Sequence, residues 1–233
     1  MTRLIVICSM ALAAAALFDA ATEPKQLAAR LGSAPVVVEL FTSQGCSSCP
    51  PADELLGTIA RDSALRGHVI PLAFHVDYWN RLGWRDPFSS AEWSQRQALY
   101  VRSFGLSGAY TPQAVVNGSH ELVGSSAGAL FAAIEKESKR TPVASLRIAD
   151  GMVDVDSPRA LELIALAVDE SQTTKVARGE NGGRTLVNYA IVKKLVRLGS
   201  VQGHVQQQLP EGTSVVLLQD AKTMRIETAA AAR

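Results

Sequence analysis

The sequence predicts an α/β domain over residues 34–140, followed by a C-terminal antiparallel β-domain of sandwich-like type over residues 142–233. In the first region, apolar runs of strand type alternate with helical patterns in the order β-α-β-α-β-β-α, which is typical of α/β folds. At Thr141-Pro142 this alternation stops, and short strand-like runs separated by turn residues replace it. With 47% hydrophobic and 19% charged residues, the 233-residue chain has the composition of a globular protein.

The N-terminal 21 residues are predicted to be a signal peptide and not part of the fold. Arg3 precedes an apolar run from Leu4 to Phe18, which is the arrangement of a secretory signal and is short for a membrane span. An uncleaved anchor is the alternative. Cleavage would remove Cys8 and leave no other run of membrane-spanning length. We therefore expect a periplasmic or secreted protein without a membrane span, in a compartment that permits disulfides.

The first predicted strand, residues 36–41, leads into a Cys-Ser-Ser-Cys motif at residues 46–49. Pro50 and Pro51 follow, and proline is compatible with the first turn of a helix but not with its interior. Apolar residues at helical spacing then extend the helix to about residue 63. At the start of a helix the dipole is positive, and this environment lowers a cysteine pKa to roughly 3.5–7.5.

A second buried strand is predicted over residues 69–77 and contains His75 near its end, at the edge where α/β sheets place their sites. His75 could tune Cys46 or bind a substrate group; the alternative is a satisfied histidine at the edge of the core. Trp79 lies in the aromatic loop that follows. It either contributes to a substrate groove or packs onto the domain.

Two helices and a hairpin complete the first region. Ser89 or Ser90 is a suitable N-cap for a helix through about residue 104. Asn117-Gly118 is the strongest short hairpin signal and predicts two adjacent strands around it. A last helix runs to about residue 139. The second region is predicted to contain short strands and one apolar stretch, 186–198, that could be helix or strand; the strands are 143–148, 152–155, 161–168, 173–178, 215–219 and 224–228.

The first region resembles the thioredoxin superfamily, because a Cys-x-x-Cys motif follows a buried strand and Thr111-Pro112 precedes the hairpin. The resemblance implies that Pro112 is cis, packs beside the disulfide and turns the Thr111 backbone towards an extended substrate. An ordinary trans proline is the alternative. We expect Cys46, at the strand–helix turn, to be the more exposed nucleophile, and Cys49 to resolve the mixed disulfide.

The mature chain as a whole is similar to an uncharacterised bacterial family of secreted thioredoxin-like proteins. The stretches that carry this similarity are residues 39–53, which include Cys-Ser-Ser-Cys-Pro-Pro-Ala-Asp, residues 110–113 and residues 179–186. That family brings no established activity. Thioredoxins usually have Trp where this chain has Gly45, and the residues between the cysteines also differ, so their reduction potentials do not transfer.

Glu39, in the first strand, is the predicted proton carrier. A carboxyl group buried on a central strand has a raised pKa, and Glu39 could then exchange a proton with Cys49. Thioredoxins have an acid in a similar place. The alternative is a carboxylate at the strand end that reaches solvent or pairs with an arginine.

Together these features predict an enzyme, a thiol–disulfide oxidoreductase that acts on protein thiols or disulfides and works with a redox partner. It needs no cofactor beyond the Cys46–Cys49 disulfide. Two alternatives stay open: a non-catalytic periplasmic binding module with a structural disulfide, and a protein that handles copper or zinc through its thiols. No metal site is predicted, since the four histidines are dispersed and a second Cys-x-x-Cys is absent. A net charge of +1 gives no support for nucleic-acid binding.

Overall fold

The structure, a computed structural model, describes residues 22–232, so the predicted signal peptide lies outside the described residues. The longest helix has 14 residues, and none of the helices in this range is long and apolar enough to span a bilayer. A short 3₁₀ helix, Asn80–Leu82, follows the second strand. The α-helices of the described range are α1 (Thr22–Ala28), α2 (Pro50–Arg61), α3 (Ala91–Phe104) and α4 (Ala127–Ser138).

The nine strands of the described chain form one mixed sheet. They are β1 (Val36–Thr42), β2 (Val69–His75), β3 (Gln113–Val116), β4 (His120–Val123), β5 (Ser145–Ala149), β6 (Met152–Lys175), β7 (Thr185–Gln208), β8 (Val215–Gln219) and β9 (Ile226–Ala231). Their order is β4-β3-β1-β2-β7-β6-β8-β9, and β5 pairs with β6 outside this path. β1 and β2 are parallel, whereas β3 and β4 form the antiparallel hairpin predicted at Asn117-Gly118.

The predicted division into a thioredoxin-like α/β domain and a separate β-domain is wrong. β2 pairs in parallel with β7 through Ala73 and Ile191, so the sheet continues from the first half of the chain into the second. The sheet is continuous because β6 and β7 are long. Each has 24 residues, and they pair with each other in antiparallel orientation. The ambiguous stretch 186–198 is strand, and the separately predicted strands 161–168 and 173–178 fall on one strand, β6, up to Lys175.

The main hydrophobic core combines side chains from both halves of the chain. Phe41, Phe74 and Tyr100 pack in one cluster with Leu217 and Ile226 of β8 and β9. The backbone N–H of Ile226 in β9 donates to the carbonyl oxygen of the β3–β4 turn residue Asn117 (3.0 Å). A second cluster lies beneath α2 and α4 on the other face of β1. The two faces of β1 therefore place different side chains under α3 and under α2.

Candidate functional site

The two cysteines of the Cys-x-x-Cys motif form a disulfide where β1 ends and α2 begins. Their Cα atoms are 5.4 Å apart. Cys46 lies in the turn after β1, and Cys49 is the N-cap of α2, with Pro50 as the first helical residue. This is the position that the sequence predicted, because proline fits the first helical turn, where its missing N–H has no intrahelical role.

The predicted exposure of Cys46 is wrong, since both cysteines have an exposed fraction of 0%. The Thr111 hydroxyl donates to Cys46 Sγ at 3.3 Å, and Ser48 Oγ lies 3.4 Å from the same sulfur. Ser47 and Ser48, between the cysteines, are the exposed residues of the motif. Reaction at either sulfur therefore requires the surrounding loops to open.

The turn between β6 and β7, residues 179–184, packs against the backbone on both sides of Cys46, and we call it the cap loop. Glu180 Oε2 accepts a hydrogen bond from the Ser47 backbone N–H (3.0 Å), and these contacts with Ser47 lower the pKa of Glu180. Asn181 Nδ2 donates to the carbonyl oxygens of Gln44 and Cys46, both at 2.9 Å. The cap loop is thus attached to the backbone on both sides of Cys46.

A buried carboxyl group lies one helical turn after Cys49. Asp53 has 6% of its surface exposed, and its backbone N–H donates to the Cys49 carbonyl oxygen at 3.1 Å. Residues four apart share a helix face, which places Asp53 one turn after Cys49, and the Asp53 carboxyl lies close to the Thr42 side chain of β1. Burial raises the pKa of Asp53 to about 7, although the positive charge of His75 acts in the opposite direction. Asp53 can therefore accept or release a proton near neutral pH.

His75 and Asp86 form a buried ion pair beside Asp53. His75 Nδ1 is 2.7 Å from Asp86 Oδ2, and neither side chain is exposed. Burial opposes charge on both groups, but their mutual attraction and hydrogen bond raise the pKa of His75 and lower the pKa of Asp86. Asp86 Oδ2 also accepts from the Gln44 N–H at 2.7 Å. A substrate-binding role for His75 has no support, because the pair holds the turn before Cys46 from inside the protein.

Glu39 faces away from α2. Its neighbours in β1, Val38 and Leu40, pack in the cluster beneath α2, so by strand alternation Glu39 points to the opposite face. There its carboxylate accepts from Arg96 Nε at 2.6 Å and from the Tyr100 hydroxyl. The predicted proton exchange between Glu39 and Cys49 is therefore corrected to the alternative, a carboxylate paired with an arginine.

Three further predicted residues lie together at the disulfide. The Thr111–Pro112 peptide bond is cis, and Pro112 is buried. The Thr111 hydroxyl accepts from Trp79 Nε1 at 2.8 Å while it donates to Cys46 Sγ. Trp79 is half-buried, and its Cβ lies 3.0 Å from where a Cβ on Gly45 would be. A larger side chain at position 45 would crowd Trp79.

Several residues of the site had no predicted role. Gln44 Nε2 donates to Asn188 Oδ1 of β7 at 2.8 Å, and Gln44 Oε1 accepts from Trp84 Nε1 at 3.2 Å. Nothing in the local sequence of residues 179–184 shows that this loop packs on the backbone at Cys46. The burial of Asp53 depends on packing against β2 and the loop at Asp86, which are distant in sequence.

The described residues do not contain a metal centre. Within residues 22–232, no group of three or more His, Cys, Asp or Glu side chains is arranged to hold a metal ion. The two cysteines are joined to each other, and metal binding would require their reduction and further ligands. The chemistry that this site can support directly is that of the disulfide and the neighbouring acid.

Comparisons with known proteins identify relatives but no activity. The family described as "Protein of unknown function (DUF1223)" matches residues 37–227. The crystal structure of protein AGR_C_4864 from Agrobacterium tumefaciens is similar, with 29% identity, a TM-score of 0.68 and coverage of 84% of this chain and 92% of that one. HBP35 of Porphyromonas gingivalis shares the fold, with 14% identity, a TM-score of 0.57 and coverage of 85% and 74%. A search of curated proteins found no match.

Proposed function

The chain belongs to the DUF1223 family of proteins of unknown function, and we propose that it is a thiol–disulfide oxidoreductase that acts through Cys46 and Cys49. One observation carries the proposal: the disulfide at the start of α2 has a buried carboxyl group with a pKa of about 7 one helical turn away. A disulfide that served only as a staple would need no such neighbour. A closed loop this short also stabilises a fold by only about 2 kcal/mol in the chain-entropy model.

The reaction proceeds by two thiol–disulfide exchanges. A substrate thiolate attacks Cys46 Sγ, the Cys46–Cys49 bond breaks, and Cys49 leaves as a thiolate. A second substrate thiolate then attacks the substrate sulfur of the mixed disulfide and releases Cys46. The protein disulfide gains two electrons, and the substrate dithiol loses two electrons and two protons. The reverse sequence reduces a substrate disulfide, and a separate redox partner restores the starting state.

Asp53 would handle the proton at Cys49. When Cys49 leaves as a thiolate, protonated Asp53 can donate to it, and when Cys49 must attack, ionised Asp53 can accept its proton. A pKa of about 7 suits both directions near neutral pH. The thiolate at Cys46 would be stabilised by the Thr111 hydroxyl and by the positive end of the α2 dipole.

We further propose that this site is related to that of the thioredoxin superfamily and that the protein acts outside the cytoplasm. The order of parts supports the first point: a Cys-x-x-Cys motif begins a helix, and Thr111-Pro112 lies against the first cysteine. The predicted signal peptide and the disulfide support the second, because disulfides persist in oxidising compartments. The substrates would then be protein thiols or disulfides in the periplasm or outside the cell.

Serine substitution of each cysteine tests the proposed function. Cys46→Ser should abolish exchange with a synthetic peptide that contains two cysteines, because the attacked sulfur is missing. Cys49→Ser has no disulfide of its own and is mixed with the disulfide form of the peptide, which Cys46 should attack. The variant should then accumulate a peptide joined covalently to Cys46, because the resolving thiol is missing. The rate is followed by the loss of free peptide thiols, and the covalent product by mass spectrometry. Equal retained activity in both variants would contradict the assignment.

The complete burial of both cysteines favours a second candidate, a binding module in which the disulfide stays closed. Its disulfide would fix the turn that carries Thr111 and the cap loop, and the surrounding surface would bind a partner. The same substitutions separate the two functions. In a binding module, Cys46→Ser and Cys49→Ser would both lower stability, and neither would form a covalent adduct with the peptide.

A further inference from the structure

Four exposed arginines lie on two neighbouring loops at the disulfide. Arg81 and Arg85 belong to the loop after β2, Arg178 directly precedes the cap loop, and Arg184 is the last residue of the cap loop. We call these four residues the arginine rim. Within residues 22–232 none of them forms a salt bridge, and Arg184 Nη1 donates only to the neutral oxygen Asn181 Oδ1 (2.8 Å).

The two loops touch each other and the disulfide turn. A Cβ added to Gly179 would lie 3.0 Å from Trp84 Cβ and 3.6 Å from the Leu82 carbonyl oxygen, so the cap loop packs directly on the loop of Arg81 and Arg85. The bond from the Ser47 N–H to Glu180 fixes the same loop beside the residues between the cysteines. The loops that carry the arginine rim therefore border the disulfide turn on the side of the cap loop.

The four guanidinium groups of the rim outnumber the accessible carboxylates of the two loops, Glu180 and the half-buried Asp77. The chain has a net charge of only +1, and most arginines elsewhere pair with carboxylates, as Arg159 does with Asp220 and Glu227. Within the cap loop Glu180 is the acidic residue, and its carboxylate is bound to the Ser47 N–H. Asp86, in the other loop, is buried against His75. Leu82 is 45% exposed and adds an apolar contact beside Arg81.

We propose that the arginine rim selects protein substrates whose reactive cysteine lies in an acidic segment. This inference rests on the proposed function, because the rim lies beside a disulfide and the partner must carry a thiol or disulfide. Guanidinium groups bind carboxylates through paired charge-assisted hydrogen bonds. Complementary charge at the rim of a site accelerates encounter and is screened by salt. An anionic membrane would match the charge but offers the disulfide no reactant.

Three synthetic peptides with the same two cysteines test the proposal. Their flanking residues are acidic, neutral or basic, and the rate of exchange is measured for each at low and high salt. The acidic peptide should react about tenfold or more faster than the neutral one at low salt, which is the lower end of what electrostatic steering provides. The basic peptide should be slower than the neutral one, and salt should bring the three rates together.

Matched charge variants separate the rim from total charge. Arg81→Gln/Arg85→Gln/Arg178→Gln should bring the ratio of acidic to neutral rates close to one. Arg66→Gln/Arg102→Gln/Arg147→Gln removes the same charge at exposed residues away from these loops and should keep the ratio.

The outcomes distinguish this inference from the proposed function. Equal rates for the three peptides would overturn the inference and leave the oxidoreductase intact. An equal fall of the ratio in both triple variants would also overturn it, because net charge alone would then explain the preference. The inference would also be overturned if the three peptides reacted at equal rates and the protein bound anionic vesicles in a way that only the rim variant loses, because the rim would then bind membranes. No reaction with any peptide would contradict the proposed function itself.

Discussion

Replacing Asp53 by Asn is expected to increase the free energy of unfolding at pH 8 by up to about 4 kcal/mol. Burial raises the pKa of Asp53 from 3.8 to about 7 in the folded protein. Between these two values the folded state keeps a proton that the unfolded state has lost. Wild-type stability therefore falls as the pH rises from about 4 to about 7, by at most about 1.4 kcal/mol per pH unit. Asn carries no charge and removes this loss.

Urea denaturation of wild type and variant at several pH values between 4 and 8 measures the effect. The difference between the two proteins reports the ionisation of Asp53 together with its coupling to the buried His75–Asp86 pair. The raised pKa of His75 also makes stability fall as pH rises through its folded value, and the lowered pKa of Asp86 makes stability fall only in acid. Asp156→Asn, at an exposed position, is the control. Parallel pH curves for wild type and Asp53→Asn would show that folding does not raise the pKa of Asp53.

Replacing Arg96 by Met is expected to destabilise the protein by about 3–5 kcal/mol, the usual cost of breaking a buried ion pair by removing one partner. Arg96 Nε lies 2.6 Å from Glu39 Oε1, and their side chains are 2% and 0% exposed. Without Arg96 the Glu39 carboxylate would be left in the core with the Tyr100 hydroxyl and without a compensating charge. Denaturant titration at pH 7 gives the change in unfolding free energy.

Two comparisons make this result specific. Arg197→Met removes an arginine that pairs with Glu162 at the surface, where its side chain is 45% exposed, and should cost less than about 1 kcal/mol. The double variant Glu39→Leu/Arg96→Met should recover part of the loss, because no unpaired charge remains. If Arg96→Met costs no more than Arg197→Met, the pair does not hold β1 and α3 together as described.

The sequence predicted the structure correctly at positions where the structure depends on neighbouring residues. Pro50 marks the first residue of α2, and Asn117-Gly118 marks the β3–β4 turn, because both reflect local backbone preferences. The position of the Cys46–Cys49 disulfide at the start of α2 follows from the same local pattern. Glu39 shows the limit of this reasoning. Its burial was predictable, but its face of β1, and therefore its partner, depended on how α2 and α3 pack on the strand.

The rest depends on contacts between distant parts of the chain. Gln44 and Asn188, which form a hydrogen bond, are 144 residues apart in the sequence. No local pattern shows that the β6–β7 turn reaches Cys46. The apolar stretch 186–198 fits a helix or a strand equally well. The pairing of Ala73 with Ile191, which joins the two halves of the sheet, could therefore not be predicted from the sequence. The burial of Asp53, and with it the acid beside the disulfide, is a consequence of the same long-range packing.

The reduction potential of the Cys46–Cys49 disulfide tests the central claim most directly. It is measured by equilibration of the protein in glutathione buffers of defined ratio, with the reduced fraction read by alkylation and mass spectrometry. An oxidoreductase requires a potential in the range of catalytic Cys-x-x-Cys proteins, about −270 to −120 mV, and this is the result we predict. A disulfide that stays closed below about −300 mV would be a structural bond and would contradict the proposed function.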